Sequence, residues 1–375
     1  MKALIDKLEK NSILTKDEFI SLIQNQNDEN ELYAAKKARQ IADDIYGKSI
    51  FIRGLIEFTN YCRNDCYYCG IQRSNKCAER YRLSKEQILS CCAQGYELGY
   101  RTFVLQGGED PYYTDEAVED IIRCIKSKYP DCALTLSIGE KEYESYKRFF
   151  DAGADRYLLR HETANEEHYR KLHPEELSLE HRKNCLFKLK EIGYQVGCGF
   201  MVGSPFQSAE TLAEDFLFIH DLKPHMVGIG PFIPHQKTRF ADEKAGTLKQ
   251  TLFLLSLLRI MEKNVLLPAT TALATIDPAG REKGIHAGAN VVMPNLSPVD
   301  VRSKYTLYDG KVCTGEEAAE CRFCLERRIE SVGYHVVVSR GDYKDGTILA
   351  VKVPKMCRYA CFDCCSFKNS TSVGI

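Results

Sequence analysis

The chain has 375 residues, enough to bury a sizeable core, and its 51 lysines and arginines are balanced by 52 acidic residues, which gives no electrostatic case for a nucleic-acid partner or an acidic tail. No apolar run approaches the ~20 residues of a membrane helix, and the N-terminus MKALIDKLEKNSILTKDEF lacks the apolar stretch of an export signal, so a cytoplasmic protein is expected. Seventeen cysteines in that setting read as metal ligands or reactive thiols where they cluster, and as small buried hydrophobes where they scatter.

Residues 1–48 carry apolar side chains at helical spacing among charges (Leu4, Ile5, Leu8, then Phe19, Ile20, Leu22, Ile23) and predict an N-terminal helical segment. Beyond it, short β-branched runs alternate with longer amphipathic stretches. Strands are predicted at 51–58, 102–106, 133–138, 156–160, 195–202, 226–230, 266–270 and 290–293, with helices at 85–98, 116–128, 142–152, 215–222 and 248–261. This is the α/β class. Eight buried strands alternating with helices point to a parallel sheet closed as a (β/α)8 TIM-type barrel over residues 49–310. An open six-unit sheet is the alternative, because the last two strands are short. An accessory cysteine segment (311–335) and a Cys-rich C-terminal tail (336–375) complete the expected organisation.

The first strand runs into Thr59-Asn60-Tyr61-Cys62-Arg63-Asn64-Asp65-Cys66-Tyr67-Tyr68-Cys69-Gly70, a C-x3-C-x2-C loop at the end of a strand where barrel enzymes place their chemistry. Three thiolates can hold three irons of a four-iron cluster and leave the fourth open to a ligand. A structural zinc site would want a fourth protein ligand, and three unrelated thiols are the bland alternative.

With Tyr68 directly before its last cysteine, this triplet resembles the radical S-adenosylmethionine (SAM) superfamily. The surrounding chain is similar to the HydE-type maturases of FeFe-hydrogenase. The likeness is carried by Glu57–Cys62, Cys66–Gly70, Val104–Tyr113, Tyr157–Asn165, Met226–His235, Pro268–Ala272 and Met293–Asn295. The resemblance implies a 4Fe-4S cluster on Cys62, Cys66 and Cys69 that cleaves SAM to methionine and a 5′-deoxyadenosyl radical. It places Tyr68, Gly107, Gly108, Glu109, Glu162, Arg182 and Met201 around SAM. Glycines at 107 and 108 would let the backbone approach the methionyl part, and Glu109 or nearby carbonyls would accept from its amino group. Glu162 would bond the ribose hydroxyls, Arg182 the carboxylate, and Met201 would pack on the adenine. Read without the resemblance, the glycines suit a plain turn, Arg182 a polar surface and Met201 a core position.

The same resemblance implies a substrate pocket lined by Thr135, Ser137, Arg160, Thr270, Thr271, Tyr305 and Tyr308. Strand alternation agrees for Thr135 and Ser137, which share one face, although each of these polar groups could instead make a structural hydrogen bond. Biotin synthases, which are related, place cluster cysteines where Thr135 and Gly197 stand here. Cys132 and Cys198 are displaced from those positions by an odd number of residues and should face away from the lumen. Methylornithine synthase shares the stretch Glu109–Tyr113 but not the form Leu159–Thr163.

Cys313, Cys321 and Cys324 match a triplet that holds a second, accessory cluster in some HydE-type proteins; zinc or free thiols are the alternatives. Cys357, Cys361, Cys364 and Cys365 repeat the first spacing without a preceding strand and are read as a flexible or regulatory tail. Cys77, Cys91, Cys92, Cys124 and Cys185 are read as packing residues, and His161 and His235 as hydrogen-bonded structural histidines. The expected partners are an organometallic or small-molecule substrate (an iron–carbonyl–cyanide–cysteine complex), partner maturases and a reduced ferredoxin- or flavodoxin-type donor, with no nucleic acid and no membrane. Two competing readings are a mutase similar to methylornithine synthase and a non-catalytic iron–sulfur scaffold.

Overall fold

The computed structural model describes residues 1–312 and 321–343. Three helices come first: α1 (Lys2–Asn11), α2 (Lys16–Gln24) and α3 (Asp28–Tyr46). The α2 helix starts at a reciprocal cap, in which the Thr15 hydroxyl accepts from Glu18 N–H and the Glu18 carboxylate accepts from Thr15 N–H. The three helices pack on the outside of the barrel, against its later helices.

The barrel strands are β1 (Ser49–Ile52), β2 (Gly54–Thr59), β3 (Thr102–Gly107), β4 (Ala133–Ser137), β5 (Arg156–Leu158) and β6 (Gln195–Cys198). They continue through β7 (Met201–Val202), β8 (Met226–Val227), β9 (Gly230–Pro231) and β10 (Val291–Val292), with β11 (His335–Val337) near the end of the described chain. Between them lie α4 (Lys85–Glu97), α5 (Asp115–Lys128), α6 (Tyr143–Asp151), α7 (Glu166–Leu172), α8 (Leu179–Ile192), α9 (Ala209–Leu222) and α10 (Leu248–Met261). Short helices α11 (Thr271–Ile276), α12 (Gly280–His286) and α13 (Val299–Arg302) follow, then α14 (Arg322–Ser331). The predicted helix at 215–222 in fact begins six residues earlier, where Ser208 and Thr211 cap each other.

Strands β2, β3, β4, β5, β6 and β8 form one parallel sheet in that order. Closure runs through single parallel bridges: Met226 with Leu266, Pro268 with Val291, and Leu55 with Asn295, with β10 paired to β1. The seventh strand is reduced to these bridges at Leu266–Leu267–Pro268, because proline has no N–H to extend a ladder. The predicted closed barrel is therefore present, and its weak seventh strand has a local cause.

β11 pairs with β1 (Ser49 to His335, Phe51 to Val337), so it crosses the expected boundary at 335/336. The chain after it plugs the N-terminal floor of the barrel. Arg156 pairs with Asp342 at 2.6 Å, Arg340 pairs with Asp155 at 2.9 Å, and Thr102 Oγ1 donates to the Arg340 carbonyl at 2.7 Å. The opposite end of the barrel is left for ligands. No helix among the described residues is long and apolar enough to cross a membrane.

Candidate active site

The loop after β2 is held from several sides. The Arg80 guanidinium donates to the backbone carbonyls of Asn60, Ile71, Gln72 and Asn75. The Asn60 amide donates to the carbonyls of Glu79 and Lys304 and accepts from Tyr81 N–H, each at 2.8 Å. Gly70 N–H donates to the Leu307 carbonyl at 2.9 Å, which ties the loop to the segment crossing the barrel mouth.

So fixed, Cys62, Cys66 and Cys69 line one cavity wall. Burial, and after it the charge of neighbouring cysteines, pushes the Cys69 thiol up to about 12 and the Cys66 thiol well above its ordinary value; burial raises Cys62 as well. Three half-buried thiols that resist ionisation and repel one another as thiolates fit a group that binds all three and brings positive charge. Among the described residues no three His, Cys, Asp or Glu side chains converge to hold a single metal ion. A four-iron cluster makes a different demand, since its thiolates sit on separate corners.

Behind the loop, at the C-terminal ends of the strands, lies a cavity of about 330 Å³. Tyr68, Gly107, Gly108, Glu109, Glu162, Arg182 and Met201 all line it. A side chain at Gly108 would put its Cβ 2.2 Å from the Tyr61 carbonyl oxygen and 2.8 Å from Cys62 Cβ. This glycine is thus required by the seating of β3 against the cysteine loop itself. The Glu109 carboxylate accepts from Arg63 Nε at 3.0 Å and from Glu140 N–H at 3.1 Å. Arg182 is mostly withdrawn into the cavity wall and is not an open surface residue: its Nε donates to the Arg160 carbonyl and its other arm to Glu140, both at 2.6 Å. Met201 packs with Leu172, Phe232 and Phe240, with Tyr67 and Tyr68 against them. The Tyr68 hydroxyl lies 3.2 Å from His173 Nε2, and His173 Nδ1 lies 3.0 Å from the Tyr169 carbonyl, so the tyrosine donates to the ring.

Glu162 has φ of 66°, in the left-handed region, at an expected cost of ~1–2 kcal/mol for a residue with a Cβ. Its N–H donates to the Gly199 carbonyl, and its own carbonyl accepts from Met201 N–H. Such strain persists only where neighbours over-determine it.

Deeper in the same cavity stand Ser137, Arg160, Thr270, Thr271, Tyr305 and Tyr308. Thr135 does not join them. It is two residues back along β4, ~7 Å deeper on the same face, in a separate space of about 10 Å³ with Arg53, Arg156, Gln195 and His225. Leu158, packed with Met226 and Leu266, lines both spaces and forms the partition.

Arg160 Nε and one of its terminal nitrogens, Thr270 Oγ1 and Glu162 Oε2 are buried without hydrogen-bond partners. The Arg160 and Glu162 side chains approach to 3.1 Å, an ion-pair distance, but are not aligned as a hydrogen bond. Two wall residues escaped the sequence reading. Lys311 pairs with Glu57, donates to the Tyr305 carbonyl at 2.9 Å, and leaves the other Glu57 oxygen to Asn295 at 2.9 Å. A carboxylate inside a buried strand was the available signal for Glu57; Lys311, beyond the last strand, offered none.

Cys321 and Cys324 sit with their sulfurs 2.8 Å apart at the start of α14. Cys313, Cys357, Cys361, Cys364 and Cys365 lie outside the described residues. Cys132 and Cys198 are buried in the main core and are absent from the cavity lining. Cys91, Cys92 and Cys185 are buried, as a packing role requires, whereas Cys124 is half-buried and Cys77 is exposed. His161 is fully buried against Asp215, and His235 faces Asp309 at 3.8 Å.

The family model described as the radical SAM superfamily matches residues 56–219. With the barrel and the cysteine loop, this defines the class: a radical SAM enzyme, which uses a 4Fe-4S cluster and SAM. Among curated proteins the chain is 47% identical over 298 residues to the FeFe-hydrogenase maturase subunit HydE of Thermotoga maritima, covering 80% of this chain and 85% of the relative. It belongs to the HydE family. It is also 29% identical over 337 residues to 3-methylornithine synthase of Methanosarcina barkeri (88% and 93% covered). Among solved structures, methylornithine synthase PylB superposes with a TM-score of 0.78 at 25% identity, covering 89% of this chain and 97% of the other. The hydrogenase maturase HydG superposes at 0.75 and 20% identity (90% and 75% covered), a likeness of fold.

Proposed function

We propose that this enzyme acts in FeFe-hydrogenase maturation, cleaving SAM reductively and directing the product radical at a small anionic iron–carbonyl–cyanide–cysteine complex held in the barrel. The observation that carries this reading is the unsatisfied polar wall. Arg160 and Thr270, both half-buried, line a cavity of about 330 Å³; Arg160 Nε and Thr270 Oγ1 are buried there without a hydrogen-bond partner, and the Arg160 guanidinium has Glu162 only at ion-pair distance. Burying such groups unpaired is costly, so the cavity is built for a polar ligand, and a guanidinium edge favours an anionic one. The relative named HydE supports the biological setting.

In this reading Cys62, Cys66 and Cys69 hold the cluster, which when bound supplies the electron for breaking a sulfur–carbon bond of SAM. Arg182, fixed by Glu140, presents positive charge to the carboxylate of SAM. Glu109 accepts from its amino group, and Glu162 accepts from the ribose hydroxyls. The Met201 wall excludes water from the adenine. Arg160, Thr270, Thr271, Ser137, Tyr305 and Tyr308 orient the substrate beneath. The donor is read as a reduced ferredoxin or flavodoxin, other maturases as partners, and the cytoplasm as the location.

The test is maturation of a host hydrogenase from purified components, with and without this protein and SAM. Hydrogen production that depends on both supports the proposal. No dependence, together with conversion of lysine to 3-methylornithine by the reconstituted protein, would replace it with the mutase reading.

A further inference from the structure

Among the described residues lining the cavity, Glu162 is the one non-glycine with a left-handed backbone, and a pair outside that lining is bonded around it. His161 and Asp215 are both fully buried, with His161 Nε2 3.2 Å from Asp215 Oδ1. Gly199 N–H donates to His161 Nδ1 at 3.3 Å. A nitrogen that accepts carries no proton, so the ring proton sits on Nε2 and is donated to Asp215. The same Asp215 oxygen accepts from Ala164 N–H at 2.6 Å. Lys183 donates to the Ala164 carbonyl at 2.7 Å, and the imidazole is flanked by Phe200 and Phe218.

The consequence is geometric. Residues 161 and 164 are fastened to α9 through one carboxylate oxygen, and residue 161 is fastened to Gly199 through the ring. Gly199 in turn accepts from Glu162 N–H, and Glu162 accepts from Met201 N–H. The backbone of Glu162 is thus bonded directly to Gly199 and Met201, while the histidine and Asp215 fasten the residues on either side of it, 161 and 164, to Gly199 and to α9. A buried neutral imidazole must satisfy one donor and one acceptor. This one places them on Asp215 of α9 and on Gly199, the residue whose carbonyl also accepts from Glu162 N–H.

We propose that His161 and Asp215 are positioning residues that hold Glu162 in its left-handed conformation, so that its carboxylate grips the ribose diol of the adenosyl ligand. The proposal rests on the ribose reading of Glu162 given above. It assigns the pair no contact with ligand and no proton transfer.

The test compares binding of adenosine and 2′,3′-dideoxyadenosine to the reconstituted protein by isothermal titration, which is independent of turnover. Glu162→Gln should lower affinity for adenosine at least tenfold and change the dideoxy analogue less than threefold. His161→Phe, which keeps a ring between Phe200 and Phe218, and Asp215→Leu should show that same selective loss. Asp215→Asn keeps the accepting oxygen and should bind both nucleosides like the parent. If His161→Phe and Asp215→Leu weaken both nucleosides equally, or neither, the positioning role is overturned while the ribose reading stands on Glu162→Gln. If Glu162→Gln itself fails to discriminate, the ribose reading falls and this proposal with it. Should His161→Phe not fold, as judged by thermal unfolding, the Asp215 variants decide the matter alone.

Discussion

The two ends of the barrel use the same residue types for opposite purposes. At the floor, Arg156 is paired with Asp342, and Arg340 with Asp155 and Asp342, over a space of about 10 Å³. At the mouth, Arg160 keeps unspent hydrogen-bonding groups beside about 330 Å³. Unpartnered atoms also occur at the floor, on Arg53 and Thr135, but the room there holds about one water. An arginine inside the barrel alone marks neither structure nor function. Both arginines have a carboxylate of the chain beside them, Asp342 at the floor and Glu162 at the mouth; what separates the two ends is that only Arg160 also faces a cavity that can admit a ligand.

This contrast can be broken at the mouth first. Cys66→Ala removes one of three cluster ligands and should abolish formation of 5′-deoxyadenosine while leaving the thermal unfolding of the cluster-free protein near that of the parent. A variant that still cleaves SAM would detach the chemistry from this loop. Next in size, Arg160→Ala should slow substrate-dependent turnover by roughly a hundredfold, as loss of a charge-assisted bond of ~3 kcal/mol implies, and leave SAM affinity within threefold. Equal loss of both would place Arg160 in the SAM site.

At the floor the expectation reverses. Asp342→Asn strips the charge partner from buried Arg156 and should cost ~2–4 kcal/mol in chemical denaturation, with SAM binding unchanged. Burial alone would raise the Asp342 carboxyl, but Arg340 and Arg156 outweigh it and hold it below the usual range. Its folded value is depressed, so this stabilisation is present above about pH 4, the unfolded value, and is lost as pH falls below it. Measured stability in Asp342→Asn should therefore lose that acid-side slope. The smallest effect is assigned to Thr135→Val: it lies behind the Leu158 partition, so substrate turnover should change less than threefold. A large loss would mean that the two cavities communicate.

Much of this was legible beforehand because it was local. The C-x3-C-x2-C spacing and the alternation of strand-like and helix-like runs each depend on a few neighbouring positions, whereas the roles of the residues in the loops after β3, β5 and β6 were expected only through the family resemblance. Thr135 shows the limit. Alternation correctly assigns its face, but alternation has no depth coordinate, and a partition built from Leu158, Met226 and Leu266 on three strands cannot be read from one of them. Arg182 shows the reverse: a polar helix reads as exposed until the barrel folds its guanidinium onto Arg160 and Glu140. The role of residues 335–343 was missed for the same reason, since a floor plug is defined by the strands it caps.

By itself, then, the sequence determined the chemistry-bearing triplet and the (β/α)8 class, because thiol spacing and hydrophobic period are properties of short segments, and its loop motifs carried the resemblance to the family. The tertiary structure alone decided which inward-facing polar groups share a cavity, that Glu162 is strained and braced by a buried histidine–carboxylate pair, and that Lys311 meets Glu57. Each of these joins residues far apart in the chain, and only closure of the barrel brings them within hydrogen-bonding reach.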